Sequence, residues 1–187
     1  MEIILASASP RRKELMGHFP FPFTVRVSQA DEKMDSGKLP QDEVARISCN
    51  KAMAVDRQRD DIVIGADTIV VCDGMILGKP KDEEDAYRML SMLSGRAHQV
   101  MTGVTVLQGD RQCSFTEITD VYFRPLSEKE IRSYIRSGDP MDKAGAYGIQ
   151  SGASLFVEKI VGDYHNVVGL PVCHLSLVLK AFMEEML

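Results

Sequence analysis

The stretch Ile62-Val63-Ile64-Gly65-Ala66-Asp67-Thr68-Ile69-Val70-Val71 is an apolar run interrupted by a carboxylate. A run this apolar suits a central strand that is covered on both faces, so the chain needs a layered fold with helices packed on a sheet. Burying a polar group there without a partner costs about 1–3 kcal/mol, and more if it is charged. Asp67 therefore calls for a metal, a lysine or an arginine beside it. A structural aspartate at a bulge next to Gly65 fits the same pattern.

The elements around this strand alternate in type. A strand is predicted over residues 2 to 6, then a helix with Ser9 as N-cap and Pro10 in its first position, where the missing N–H costs nothing. Phe23, Val25 and Val27 alternate with polar neighbours as a half-buried strand, followed by a polar loop from Gln29 to Leu39. Pro40 opens a helix to about Arg57, and Asp73-Gly74 marks a hairpin turn after the central strand. A helix fits Asp82 to Leu93. Val100 to Leu107 and Cys113 to Phe123 flank the turn Gly109-Asp110 as an antiparallel pair. Ser127 and Glu130 form a capping box for a helix ending at Gly138. The glycine-rich stretch Gly145 to Gly152 leads into a strand near Leu155 to Ile160, and a last helix spans Pro171 to Met186. The mixture predicts an α/β (mixed α+β) fold.

The 187 residues are enough for one substantial core, and a net charge of -5 gives no general attraction for nucleic acid or acidic membranes. Any phosphate must then meet locally placed cations. Cys49, Cys72, Cys113 and Cys173 lack the spacing of a zinc site or a tight disulfide framework, and read as reduced, mostly buried thiols. The N-terminus lacks a signal-peptide pattern, and no apolar run approaches the roughly 18 residues of a membrane helix. A cytoplasmic protein is expected.

Three further places set polar groups against the local pattern. Lys51 lies seven residues after Val44 and four after Ile47, within the apolar stripe of its helix. It is either a functional cation or a side chain that snorkels to water. Ser7-Ala8-Ser9-Pro10-Arg11-Arg12 puts two hydroxyls and two guanidiniums at a helix start, which suits a phosphate cradle and equally a capped helix with solvated arginines. Lys79, in Gly78-Lys79-Pro80, counts only in the company of other ligands. The four histidines have no ligand-like spacing, and neither GxSxG, a Walker A loop nor GxGxxG occurs.

Ser7 to Arg12, Asp31-Glu32, Lys51-Ala52, Gly65 to Thr68, Gly78 to Pro80, Thr102-Gly103-Val104, Asp142 to Gln150 and Asn166 to Pro171 together closely resemble the Maf family, in order and over nearly the whole chain. The resemblance implies a nucleoside triphosphate pyrophosphatase in a single domain over 1–187. Its fold would be similar to that of inosine triphosphatases, with an elongated mixed sheet flanked by helices and two lobes around a nucleotide cleft. A homodimer is a further expectation of the likeness.

By position, the resemblance makes Asp67 the catalytic base that activates water, and Ser7, Ser9, Arg12, Lys51 and Lys79 the holders of the triphosphate. Arg11, Thr68 and Gln150 mark the branch acting on dTTP and UTP; a branch acting on 7-methyl-GTP carries a bulky aromatic at the first of these positions. Gln150 offers both a donor and an acceptor to a uracil or thymine edge. Ser151 departs from the family pattern, where a glycine directly follows the glutamine. Mg²⁺ or Mn²⁺ is expected as cofactor, bound through triphosphate oxygens with Asp67 and Glu32. A phosphatase of the haloacid dehalogenase type would need a second aspartate where Gly65 stands. A nucleotide sensor without turnover would have no use for a water-activating carboxylate.

Overall fold

A computed structural model of the protein describes residues 1–35 and 37–184. Its strands are β1 (Ile3–Leu5), β2 (Thr24–Val25), β3 (Ile62–Cys72), β4 (Met75–Leu77), β5 (Ala97–Gln108), β6 (Arg111–Phe123) and β7 (Val157–Val161). Its α-helices are α1 (Pro10–Met16), α2 (Pro40–Met53), α3 (Glu83–Leu93), α4 (Glu128–Ile135), α5 (Tyr164–Val168) and α6 (Val172–Glu184). The strand order is β2-β1-β3-β5-β6-β7, with β4 paired to β3. β1 runs parallel to β2 and β3, pairing Leu5 with Val25 and with Ile64. β3–β4 and β6–β7 are antiparallel, so the sheet is mixed and the fold is α/β, as the alternation of elements predicts.

The chain forms two compact units, one made of Met1–Asp67, Thr102–Glu117 and Gly169–Leu187, the other of Thr68–Met101 and Ile118–Val168. In the first, Ile4, Ala6, Ala52, Val55, Val63 and Leu107 form one buried cluster that joins α2 to the strands. The helix lies directly against the sheet. A Cβ built on Gly103 would fall 2.4 Å from the Val44 carbonyl oxygen, and one on Gly65 would fall 2.2 Å from that of Ser48. A polar ladder follows the same contact, since the Ser48 hydroxyl is 2.8 Å from that of Thr105, itself 2.8 Å from Ser114. Each buried hydroxyl thereby finds a partner.

The second unit is organised by aromatic rings. His98, Phe123 and Tyr147 meet edge to face, and Phe156 continues the chain of rings to Tyr134. Such edge-to-face pairs fix ring orientation as well as burying area. Burial pushes the His98 imidazole down to about 4, so it sits in this core as a neutral ring whose Nε2 is 2.7 Å from the Tyr147 hydroxyl.

Several boundaries differ from the sequence reading. Only Thr24 and Val25 of the strand expected around Phe23 to Val27 pair with β1, and both are exposed, so alternation there reports an edge rather than a half-buried strand. α2 stops at Met53 instead of Arg57, because Asp61 accepts from the Gln58 and Glu2 N–H groups and turns the chain into β3. α4 ends at Ile135, with Gly138 left-handed beyond it. α6 begins at Val172, and its predicted end at Met186 lies outside the described residues. Of the cysteines, Cys72 is buried, Cys49 and Cys113 are partly so, and Cys173 is exposed, so the thiols are less buried than expected. The Asp73-Gly74 turn forms as predicted, with both residues at positive φ. No helix among the described residues is long and apolar enough to cross a membrane.

Candidate functional site

The first unit collects most of the singled-out polar groups. Ser9 caps α1 through Arg12 N–H, and its own N–H donates to Ser7 Oγ at 3.2 Å. Arg12 does not point to water: Nε donates to the Gly169 carbonyl at 2.8 Å and Nη1 to Ser7 Oγ at 3.2 Å. Burial lowers the pKa of this guanidinium, and the negative charges of Asp67 and Glu32 act in the opposite direction. Arg11, its neighbour on α1, is half-buried.

Lys51 resolves the question posed by Asp67. Its Nζ lies 2.7 Å from Asp67 Oδ1 and 2.8 Å from Glu32 Oε1, so the ammonium serves two carboxylates instead of snorkelling to water. Lys51 is 7% exposed and Asp67 8%. At such burial an isolated charge is costly, and a hydrogen-bonded opposite charge offsets much of the desolvation. The spacing on α2 that puts Lys51 among apolar residues is what aims it at β3. Asp67 and Glu32 are hard oxygen donors converging on one cation, a donor set that fits Mg²⁺ held by one or two carboxylates plus substrate phosphates. Among the described residues no group of three or more His, Cys, Asp or Glu side chains is placed to cage an ion by itself.

Glu32 lies in the polar loop after β2, and α2 ties that loop down. Glu43 accepts from both Arg46 Nε (2.9 Å) and Nη2 (2.7 Å) and from the Asp35 N–H (2.7 Å), while Arg46 Nη2 also donates to the Lys33 carbonyl at 2.9 Å. The Arg46 hydrogen bonds, then that from Asp35, hold the Glu43 carboxyl down at about 2 against an ordinary 4.5. A carboxyl depressed on folding stabilises the protein fully above its unfolded value and loses that contribution as pH falls through the folded one. Glu43→Gln is thus expected to unfold at a lower temperature than wild type at neutral pH, with the gap closing between pH 4.5 and about 2. Melting curves across that window check it; a gap that stays constant to pH 2 rules out the charge as its source.

In the second unit, Thr68 is half-buried on β3, while Lys79 and Gln150 are exposed. The segments that carry them are joined: the Gly145 N–H donates to the Gly78 carbonyl at 3.0 Å. Gly145 has φ +68°, and a Cβ there would lie 2.9–3.0 Å from Val70, so only glycine allows this approach to β3. Gln150 lies between buried Ile149 and half-buried Ser151.

Sequence reasoning missed the groups that hold these segments. The Glu43–Arg46 pair, the Gly169 carbonyl, and a network of Tyr134, Asp139, Lys143 and Ser151 interrupt no apolar pattern. The i,i+3 spacing of Glu43 and Arg46 was the one available signal.

The chain matches known proteins over nearly its whole length. The family model described as Maf-like protein matches residues 2–182. The chain is 47% identical over 182 residues to a Bacillus cereus protein named dTTP/UTP pyrophosphatase, covering 97% of this chain and 95% of that one. It is 49% identical over 181 residues to a Bacillus velezensis protein of the same name, covering 96% of each. Among solved structures it is similar to the Staphylococcus aureus Ham1 protein, with a TM-score of 0.44 and 17% identity over 66% of this chain and 72% of that one.

Proposed function

This chain belongs to the Maf family, and we propose that it is a nucleoside triphosphate pyrophosphatase that hydrolyses dTTP and UTP to the monophosphate and pyrophosphate. The observation that carries the reading is the buried carboxylate of Asp67 held 2.7 Å from the Lys51 ammonium, on a chain whose relatives bear the dTTP/UTP pyrophosphatase name over almost their full length. A cytosolic setting belongs to the same reading, and free cysteines suit it.

In this reading Asp67 is the general base. It takes a proton from water as the water oxygen bonds to the α-phosphorus, and the α–β bridging bond breaks to release pyrophosphate. Lys51 holds one oxygen of Asp67, Oδ1, and fixes the carboxylate's orientation. Arg12 is preorganised by Gly169 and Ser7 to meet phosphate oxygens without first losing rotamer freedom. Ser7, Ser9 and Lys79 complete the triphosphate contacts, and Arg11, Thr68 and Gln150 read the base. Asp67 and Glu32 would hold Mg²⁺ or Mn²⁺, which when bound neutralises charge on the phosphate oxygens.

The test is pyrophosphate release from dTTP, UTP, CTP, GTP and ITP with Mg²⁺ or Mn²⁺. The expected result is kcat/KM for dTTP and UTP above that for GTP by about tenfold or more. Release of inorganic phosphate instead of pyrophosphate would revive the phosphatase reading. Nucleotide binding with no turnover under either metal would favour a sensor.

A further inference from the structure

Gln150 is exposed and belongs to no helix or strand, yet reading a base requires a side chain held in place. Its neighbours supply the hold. On one side Ile149 is buried in the second unit. On the other, the Ser151 hydroxyl donates to Asp139 Oδ2, which also accepts from the Tyr134 hydroxyl. The same phenol accepts from the Gly148 N–H at 3.2 Å, and Ser151 N–H donates to the Gly148 carbonyl at 3.2 Å. Lys143 closes the network: its Nζ donates to the Asp139 carboxylate at 3.0 Å, the Asp139 carbonyl at 2.6 Å and Asp142 at 2.6 Å.

Three observations separate this from an incidental surface network. Lys143 is only 11% exposed in its side chain, with its three donors directed at these acceptors, so it is committed to structure instead of to phosphate. Gly148 has no room for a Cβ, which would lie 2.6 Å from Lys143 Cε, so the loop is packed directly on the lysine stem. The ring of Tyr134 packs edge to face on Phe156, anchoring the phenol in the aromatic core. Burial raises the Asp139 carboxyl, but hydrogen bonds from Ser151, Tyr134 and Lys143 outweigh it and leave it below the ordinary carboxylate range. A charged acceptor makes each of these bonds stronger than a neutral one.

We propose that Asp139, shared between Ser151 and Tyr134, is a positioning residue that clamps the 148–151 turn and sets the base discrimination exerted by Gln150. Ser151 is the link, since its hydroxyl is what joins the residue after Gln150 to the aspartate. The inference rests on the reading of Gln150 as a base-recognition residue.

The experiment compares Ser151→Ala, Ser151→Thr, Asp139→Asn and Gln150→Ala with wild type for dTTP, UTP, CTP and GTP, beside melting curves. Ser151 has φ -118° and ψ -153°, an extended conformation that threonine adopts readily, so the threonine variant keeps the hydroxyl without strain. Ser151→Ala and Asp139→Asn are expected to raise KM for dTTP about tenfold with kcat within about twofold, and to shrink the dTTP/GTP preference. Ser151→Thr should restore both. If Gln150→Ala loses the preference while Ser151→Ala and Asp139→Asn keep wild-type KM and preference, the clamp is wrong and the function stands. If they lower kcat instead, or if threonine fails to rescue a folded protein, the clamp is equally wrong. If Gln150→Ala itself leaves the preference unchanged, the base-reading role falls and the clamp with it.

Discussion

Asp67→Asn is expected to lower kcat for dTTP by about 10³-fold while the protein stays folded and KM changes little. Asparagine matches aspartate in shape and still accepts a hydrogen bond from Lys51 through its amide oxygen, so the 2.7 Å contact survives in neutral form. Lys51 keeps Glu32 at 2.8 Å, so the ammonium is not left without a counter-charge. The fold therefore loses little, in contrast to removal of the lysine, which would strand a carboxylate at 8% exposure. What the amide lacks is basicity: its oxygen accepts a hydrogen bond but is far too weak a base to take a proton from attacking water. Single-turnover pyrophosphate release with saturating dTTP isolates that step. Activity within tenfold of wild type, at an unchanged melting midpoint, would move the base to another group and leave Asp67 as a structural partner of Lys51.

Much of this site was legible in the sequence because it violates the patterns around it. A carboxylate in an apolar strand and a lysine in the apolar stripe of a helix are each costly alone, and the simplest way to remove both costs is to pair them. Neither position names the other, since Lys51 and Asp67 are separated by 16 residues and their meeting depends on how α2 lies on β3. The cap at Ser9, the Asp73-Gly74 turn and the capping box at Ser127 were legible for a local reason: each is fixed by residues within one turn. Long-range polar contacts were not. Gly169 offers Arg12 a backbone carbonyl from 157 residues away, and a carbonyl carries no sequence signal. The Asp139 network was hidden similarly, because an aspartate, a tyrosine and a serine in a polar turn break no periodicity. The positions proposed to read the base came only from family resemblance: an exposed glutamine in a turn is, by pattern, an ordinary surface residue.

Gly65→Ala is expected to be strongly destabilising for a change of one methyl group, costing roughly 3 kcal/mol and lowering the melting midpoint by about 10 °C. The added Cβ would lie 2.2 Å from the Ser48 carbonyl oxygen and 2.8 Å from Ala52 N and Cβ. These are backbone or backbone-proximal atoms of α2, so no flexible side chain can step aside, and relief comes only from moving the helix off β3. Lys51 sits on that helix between Ser48 and Ala52, and Asp67 sits two residues along the strand from Gly65. Any withdrawal of α2 therefore lengthens the Lys51–Asp67 contact, and a displacement near 1 Å at a reacting group costs about 10²-fold in rate. The variant should lose kcat even when assayed well below its melting midpoint, which separates misplacement from unfolding. Gly78→Ala is the matched control, since a Cβ there meets nothing within 4 Å and its backbone needs no positive φ. Melting curves and dTTP turnover at 15 °C for the two variants decide the matter. A Gly65→Ala midpoint within about 2 °C of wild type would mean that α2 yields easily, and that the close approach of helix to strand is not what holds the lysine on the aspartate.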